Sequence, residues 1–296
     1  GPTAVGKSRL ALELAADFEA EIVNADSRQV YRYMDIGTNK PTREEQRLVS
    51  HHLIDVVNPD DDFTLADYLH QAYPAIEDVQ QRGRLPLLVG GSGLYVWSLL
   101  EGWMIPGVPP DRKLRRELEA TAREQGGDIL YQRLREIDPA GAAKIDPRNI
   151  RRLIRALEIY QSSGQLPSSV RRKRAPDFST LIIGLTLERS ELYRRIDSRV
   201  DKMMEEGLVK EVTRLMQRGY GLSLPSMSGI GYKQVGDFLS GKVSLSEAVE
   251  KIKYETHRLA RHQGAWFRLD DARIRWLDAD LSRSKAAKEL IASFLS

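Results

Sequence analysis

The sequence predicts an α/β fold: a P-loop-type parallel sheet flanked by helices and carrying an all-helical insertion. Three observations carry this. Short apolar runs alternate with helix-period stretches before Trp103, the rhythm of a parallel sheet with crossover helices. The chain opens on Gly1-Pro2-Thr3-Ala4-Val5-Gly6-Lys7-Ser8, a glycine-rich pattern that precedes an amphipathic helix. From Pro110 to about Ser163 no strand-like run occurs. Changes of texture near Trp103 and Thr180 place the first part of the core at 1–102, the helical insertion at 103–179 and the second part of the core at 180–296.

Taken in order, Ser8 to Phe18 reads as a helix with Leu10, Leu12 and Leu14 behind the loop. Glu21-Ile22-Val23 and His52 to Val57 read as strands, Thr64 to Gln81 as a helix, and Leu85 to Val89 as a buried strand. In the insertion Leu114, Leu118, Ile129, Leu130, Leu134, Ile150, Leu153, Ile154, Leu157 and Ile159 recur at helical spacing. Leu181 to Leu187 reads as a buried strand. One long helical pattern follows it through Leu192, Ile196, Val200, Met203, Leu208, Val212 and Leu215. Ser244 and Glu247 form a capping-box pair before a helix expected to present Leu245, Ala248, Ile252, Leu259 and Trp266 on one side. Arg275-Trp276-Leu277 reads as a last strand before a final helix.

Composition excludes several classes. The 296 residues, 41% hydrophobic and 29% charged, suit a folded chain that needs no staples. With 0 cysteines there is no disulfide framework, zinc ribbon, iron–sulfur cluster or thiol nucleophile, which fits a reducing compartment, so a cytoplasmic location is expected. The longest uncharged run, Leu85 to Leu100, is shorter than a bilayer span and interrupted by Gly90, Gly91 and Gly93, so no membrane partner is expected. The opening residues lack an apolar signal-peptide core. A monomer is expected.

The opening fits G-x-x-x-x-G-K-[ST], in which backbone N–H groups wrap a phosphate, Lys7 adds a point charge and the Ser8 hydroxyl holds Mg²⁺, the expected cofactor. Such loops follow a strand, which is expected upstream of Gly1. A loop of this kind serves nucleoside triphosphatases, small-molecule kinases and other users of diphosphates alike. A strand ending in a metal-binding Asp would favour phosphoryl transfer. Here Leu85 to Val89 runs instead into Gly90-Gly91-Ser92-Gly93-Leu94-Tyr95, with a hydroxyl and no carboxylate, and Asp55 remains a possible metal partner.

Together with GPTAVGKS, the stretches Ala25-Asp26-Ser27-Arg28-Gln29-Val30-Tyr31, His51-His52-Leu53-Ile54-Asp55 and GGSGLY resemble the tRNA dimethylallyltransferases. The resemblance continues through Arg155-Ala156-Leu157-Glu158-Ile159-Tyr160, Ile230-Gly231-Tyr232-Lys233-Gln234 and Gln263-x-x-Trp266, covering nearly the whole chain in order. It implies transfer of a dimethylallyl group from dimethylallyl diphosphate to the exocyclic amine of the adenine beside the anticodon's 3′ side in tRNA, with release of diphosphate. Loop amides, Lys7 and Ser8 with Mg²⁺ would then stabilise the charge that develops on the leaving group. Adenine's amine is a poor nucleophile, so a carboxylate that accepts its proton helps, and Asp26 is the candidate. The plain alternative for Asp26 is a helix cap. Ser92 stands where the family usually has threonine, and its alternative is an ordinary glycine turn. Arg199 corresponds to a diphosphate contact in the family; its alternative is a surface ion pair.

Two stretches are basic. From Arg148 to Arg174 there are eight Arg or Lys against Glu158 alone, and from Lys251 to Arg268 five against Glu255. Charge runs are usually solvated faces; with the resemblance they read as phosphate-tracking surfaces. Carried over residue by residue, the tRNA-facing positions are Asp26, Ser27, Arg28, Gln29, Arg115, Arg151, Arg152, Leu153, Ile154, Arg155, Gly229, Ile230, Gly231, Tyr232, Lys233 and Gln234, with Tyr232 able to stack on an unpaired base. The reacting base is expected to leave its stack. Gly264 and Ala265 depart from the bulkier residues usual in the family. The histidines show no metal spacing, and His257 and His262 are read as structural or RNA-facing. Two competing readings are a nucleotide or small-molecule kinase, which leaves the basic insertion unexplained, and an RNA-binding nucleotide switch, which leaves GGSGLY unexplained.

Overall fold

The computed structural model describes residues 1–170, 172–279 and 283–296. Helix α1 (Lys7–Asp17) begins where Gly6 turns the backbone at φ +100°, a left-handed conformation that favours glycine, and it buries Leu10, Ala11, Leu14 and Ala15. Strand β1 (Ala20–Asn24) is buried throughout. Helix α2 (Arg43–Leu48) starts at a Thr42/Glu45 capping box, and β2 (His51–His52) pairs in parallel with β1. The expected strand through Val57 stops at His52, because Leu53 and Asp55 take φ of +62° and +53° and turn the backbone out of the ladder. Helix α3 (Leu65–Gln81) opens on a Thr64/Asp67 capping box. Strand β3 (Leu85–Val89) runs parallel to β1 with Asn24 opposite Val89, giving the order β2-β1-β3. Both long strands therefore end at one edge, and α4 (Gly93–Leu100) follows the turn after β3.

Contacts divide the chain into two compact units, Gly1–Leu100 with Phe178–Ser296, and Glu101–Asp177. The second unit has a two-stranded antiparallel ribbon, β4 (Trp103–Met104) with β5 (Arg172–Lys173), and helices α5 (Arg112–Gln125), α6 (Asp128–Ile137), α7 (Pro139–Ala142) and α8 (Ile150–Ser163). Leu118, Leu130, Leu134, Leu153, Ile154 and Leu157 form its core.

The first unit resumes with β6 (Ile182–Thr186), α9 (Arg189–Glu206) and α10 (Leu208–Gln217). The single long helix read from the sequence is two, since Gly207 at φ +100° caps one and starts the next while the apolar spacing continues across the break. A 3-10 turn (Ser226–Ser228) leads into α11 (Tyr232–Leu239), and α12 (Leu245–Trp266) begins at the Ser244/Glu247 capping box. The buried side of α12 is Ala248, Ile252, Thr256, Ala260 and Gln263, whereas Leu245 and Leu259 are exposed, correcting the expected face. Strand β7 (Ile274–Asp278) pairs in parallel with β6, and α13 (Arg283–Leu295) closes the described chain. Among the described residues no helix is long and apolar enough to cross a membrane.

Candidate active site

The loop before α1 is shaped by left-handed backbone at Ala4 (φ +62°) and Gly6. Lys7 folds back over it, its Nζ donating to Gly1 O at 3.0 Å and Pro2 O at 2.6 Å. Thr3 N–H donates to Gln263 Oε1 at 2.7 Å, and Arg199, from α9, donates from Nη2 to Thr3 Oγ1 at 2.6 Å. Burial lowers the Lys7 amine to about 8; Asp26 opposes the shift and Arg199 adds to it. Burial also lowers Arg199, whose Nε is enclosed with no hydrogen-bond partner among the described residues. Two cations thus share a desolvated place with one carboxylate near enough to act on both, and one of them keeps an enclosed donor with no partner among the described residues. An anion with several oxygens relieves both conditions. Ser8 lies exposed one residue further along α1.

Asp26 reaches this place because β1 ends two residues earlier. Asn24 fixes the exit, its Oδ1 accepting Asp26 N–H at 2.9 Å and its Nδ2 donating to Asp26 O and Leu53 O. Asp26 Oδ1 accepts Arg28 N–H at 2.9 Å in a turn rather than at a helix start, so the residue is not a helix cap. Ser92 Oγ accepts Ser27 N–H at 3.0 Å, and Ser92 N–H donates to Ala25 O at 3.1 Å, tying the turn after β3 to the turn after β1. This closeness requires glycine at 90, where a Cβ would come 2.1 Å from Ala25 O. Lys7, Asp26, Ser92 and Arg199 are thereby brought to the carboxyl ends of β1 and β3, where open α/β sheets bind ligands.

Several expectations about RNA-facing residues are corrected. Tyr232 is 1% exposed and donates its hydroxyl to Glu211 Oε1 at 2.7 Å, so its ring cannot stack on a base. Gln234 is buried, its Oε1 accepting Gly231 N–H at 2.9 Å. Gly229 and Gly231 are buried, Ile230 packs on the same cluster, and Lys233 alone of this segment is exposed. Arg28 and Gln29 are not among the corrected residues: each is half-buried and keeps part of its surface in solvent, while Arg28 donates to Pro225 O at 3.0 Å and Gln29 Nε2 donates to Asn39 O at 3.0 Å. Asp55 is not free for a metal, since Lys40 Nζ holds it at 2.7 Å and also holds Asp35.

In the helical unit Leu153 and Ile154 are core residues with no surface for RNA. Arg115 grips the fully buried Glu158 at 2.8 and 2.9 Å, and Arg155 binds the same carboxylate and Val108 O. Burial pushes the Glu158 carboxyl up, but the hydrogen bonds from Arg115 and Arg155 outweigh it and hold the group below its usual range. Arg151 and Arg152 stand exposed on α8. His257 stacks on Tyr193 with centroids 4.1 Å apart and meets Asp197 at 2.8 Å, a structural role.

Two residues outside the sequence-derived site matter to its geometry. Glu211 accepts N–H groups of Asp35, Ile36 and Gly37 at 3.0, 2.8 and 3.2 Å besides the Tyr232 hydroxyl. Gln263 joins Thr3 to Gly91 through hydrogen bonds of 2.7 and 3.0 Å. Neither has a local spacing signal. Gln263 was visible only inside the Gln263-x-x-Trp266 motif.

The fold and site define an α/β protein with an anion-ready loop and a carboxylate at the carboxyl ends of parallel strands. The family model described as IPP transferase matches residues 29–270. A "tRNA dimethylallyltransferase" of Thermomicrobium roseum is 50% identical over 278 residues, 94% of this chain and 84% of the relative; one of Roseiflexus castenholzii is 54% identical over 90% of this chain and 88% of the relative. The crystal structure of a full-length tRNA isopentenylpyrophosphate transferase from Bacillus halodurans matches with TM-score 0.73 at 42% identity, covering 99% of this chain and 94% of that one. A eukaryotic dimethylallyltransferase described as acting on tRNA matches with TM-score 0.83 at 30% identity over 99% of this chain and 76% of that one. The chain belongs to the IPP transferase family.

Proposed function

We propose that this chain transfers the dimethylallyl group of dimethylallyl diphosphate to the exocyclic amine of the adenine 3′-adjacent to the anticodon in tRNA, releasing diphosphate. The observation that carries the reading is the desolvated Lys7–Arg199 pair beside Asp26, in a chain about half identical to enzymes so named. The allylic carbon–oxygen bond breaks and its electron pair leaves with diphosphate. A new carbon–nitrogen bond forms from the adenine amine, whose proton passes to Asp26. Lys7, the loop amides and Arg199 would hold the diphosphate oxygens, the enclosed Arg199 Nε finding a partner there. Preorganised donors of this kind act where charge develops, which favours the departing diphosphate over the neutral amine.

Among the described residues no trio of His, Asp or Glu is placed to cage a metal. The donor set suits magnesium all the same, because that ion takes few protein ligands and completes its shell with water and substrate phosphate oxygens. Ser8 would give one oxygen, and the ion would add charge neutralisation at the diphosphate. Ser92 would hold the Asp26–Ser27 turn in place from the neighbouring strand end. Unit Glu101–Asp177 would serve as the tRNA-binding insertion, with Arg151 and Arg152 as phosphate contacts. The absence of cysteine agrees with action in the reducing cytoplasm, and the chain is proposed to act as a monomer.

With Mg²⁺, dimethylallyl diphosphate and tRNA, diphosphate release should depend on tRNA, and ATP should yield no ADP. ADP formation that depends on a small acceptor would replace this reading with a kinase.

A further inference from the structure

Gln263 lies on the inner side of α12, 8% exposed, opposite an outer side on which Lys251, Tyr254, Arg258, Arg261 and His262 are exposed. Its amide bonds two backbone segments of the site at once, accepting Thr3 N–H at 2.7 Å and donating to Gly91 O at 3.0 Å. Thr3 also receives Arg199, and Gly91 precedes Ser92. The fit is close: a Cβ on Gly91 would come 2.4 Å from Gln263 Nε2 and 3.7 Å from Lys7 Nζ. At this length an amide offers an acceptor and a donor together at every pH, which a carboxyl does only when protonated. Glutamate would turn a second acceptor toward Gly91 O, and methionine would leave two enclosed backbone groups unpaired.

We infer that Gln263 is a positioning residue of the diphosphate site, fixing the distance between the loop that carries Lys7 and the turn that carries Ser92. This rests on the reading of that place as a diphosphate site. Because its bonds run inward from α12, losing them disturbs diphosphate binding and leaves the outer, cation-bearing face of the helix as it is.

The test is calorimetric titration of the full chain with inorganic diphosphate plus Mg²⁺, and separately with an anticodon stem-loop RNA. Gln263→Glu should bind diphosphate about tenfold more weakly than wild type near pH 8, as expected when an enclosed hydrogen bond is lost. Its RNA affinity should stay within about twofold of wild type, a change too small to reflect a lost phosphate contact. The diphosphate deficit relative to wild type should shrink toward about pH 5, where a protonated glutamate regains the donor for Gly91 O. Gln263→Met should show the same deficit at every pH, and urea midpoints should show that both variants are folded. Diphosphate affinity equal to wild type in both folded variants, or a loss confined to RNA binding, would overturn the inference. Wild-type protein that bound no diphosphate would overturn the reading of the site, and the inference with it.

Discussion

Lys7 carries its charge under protest: burial brings its amine to about 8 from the ordinary 10.5. Since the folded value is the lower one, the free site loses this cation as pH rises through about 8, whereas an unfolded chain would keep it to 10.5. Diphosphate affinity should therefore fall above that pH for wild type relative to Lys7→Arg, whose guanidinium stays charged. Parallel pH profiles from calorimetry would show that Lys7 does not meet the anion. Asp26 has a different signature. Asn at this position keeps the Oδ1 acceptor for Arg28 N–H, so the turn survives while the base is lost. Asp26→Asn should cut transfer about 10²–10⁴-fold, the usual worth of a positioned general base, with tRNA affinity intact. Single-turnover rates near wild type would remove Asp26 from the chemistry.

At the level of elements, chemistry local in sequence was legible and chemistry remote in sequence was not. The Ser244/Glu247 capping box, the strand at Glu21-Ile22-Val23 and the helix from Ser8 follow from neighbours within a few residues, and each forms. Strand β2 ends early because two non-glycine residues, Leu53 and Asp55, turn left-handed, and nothing in their identity announces it. Gln263 reaches Thr3 across 260 positions, and Glu211 reaches Ile36 across 175, so no window of sequence contains either bond. Helix α8 shows how a basic run misleads. Of its residues 151–155, Leu153 and Ile154 face the core and Arg155 serves Glu158, which leaves Arg151 and Arg152 in solvent. Removing those two charges should weaken tRNA binding and flatten its salt dependence, since each phosphate contact contributes about −0.9 to the slope for duplex or −0.7 for single strands. Arg115→Ala should instead lower stability by about 1–2 kcal/mol, because it strips one partner from a buried carboxylate that keeps Arg155 and the Asp111 N–H. A salt slope unchanged in Arg151→Ala/Arg152→Ala would mark these two as ordinary solvated helix residues.

Across the whole molecule, the proposed diphosphate role of the opening loop leaves the acceptor undecided, because diphosphate is stabilised alike whether phosphorus or carbon is attacked. What distinguishes the two outcomes is the acceptor, and the carboxylate proposed to serve it, Asp26, follows β1 in a turn tied to Ser92 after β3. Absence of cysteine removed whole classes of chemistry at the outset, and family membership narrowed the rest. The most direct test is mass spectrometry of nuclease fragments of tRNA after incubation with the protein, dimethylallyl diphosphate and Mg²⁺. The expected result is the mass of one dimethylallyl group on the fragment holding the adenosine 3′ to the anticodon, matched mole for mole by released diphosphate. Unmodified tRNA, from protein that is folded and binds both substrates, would contradict it.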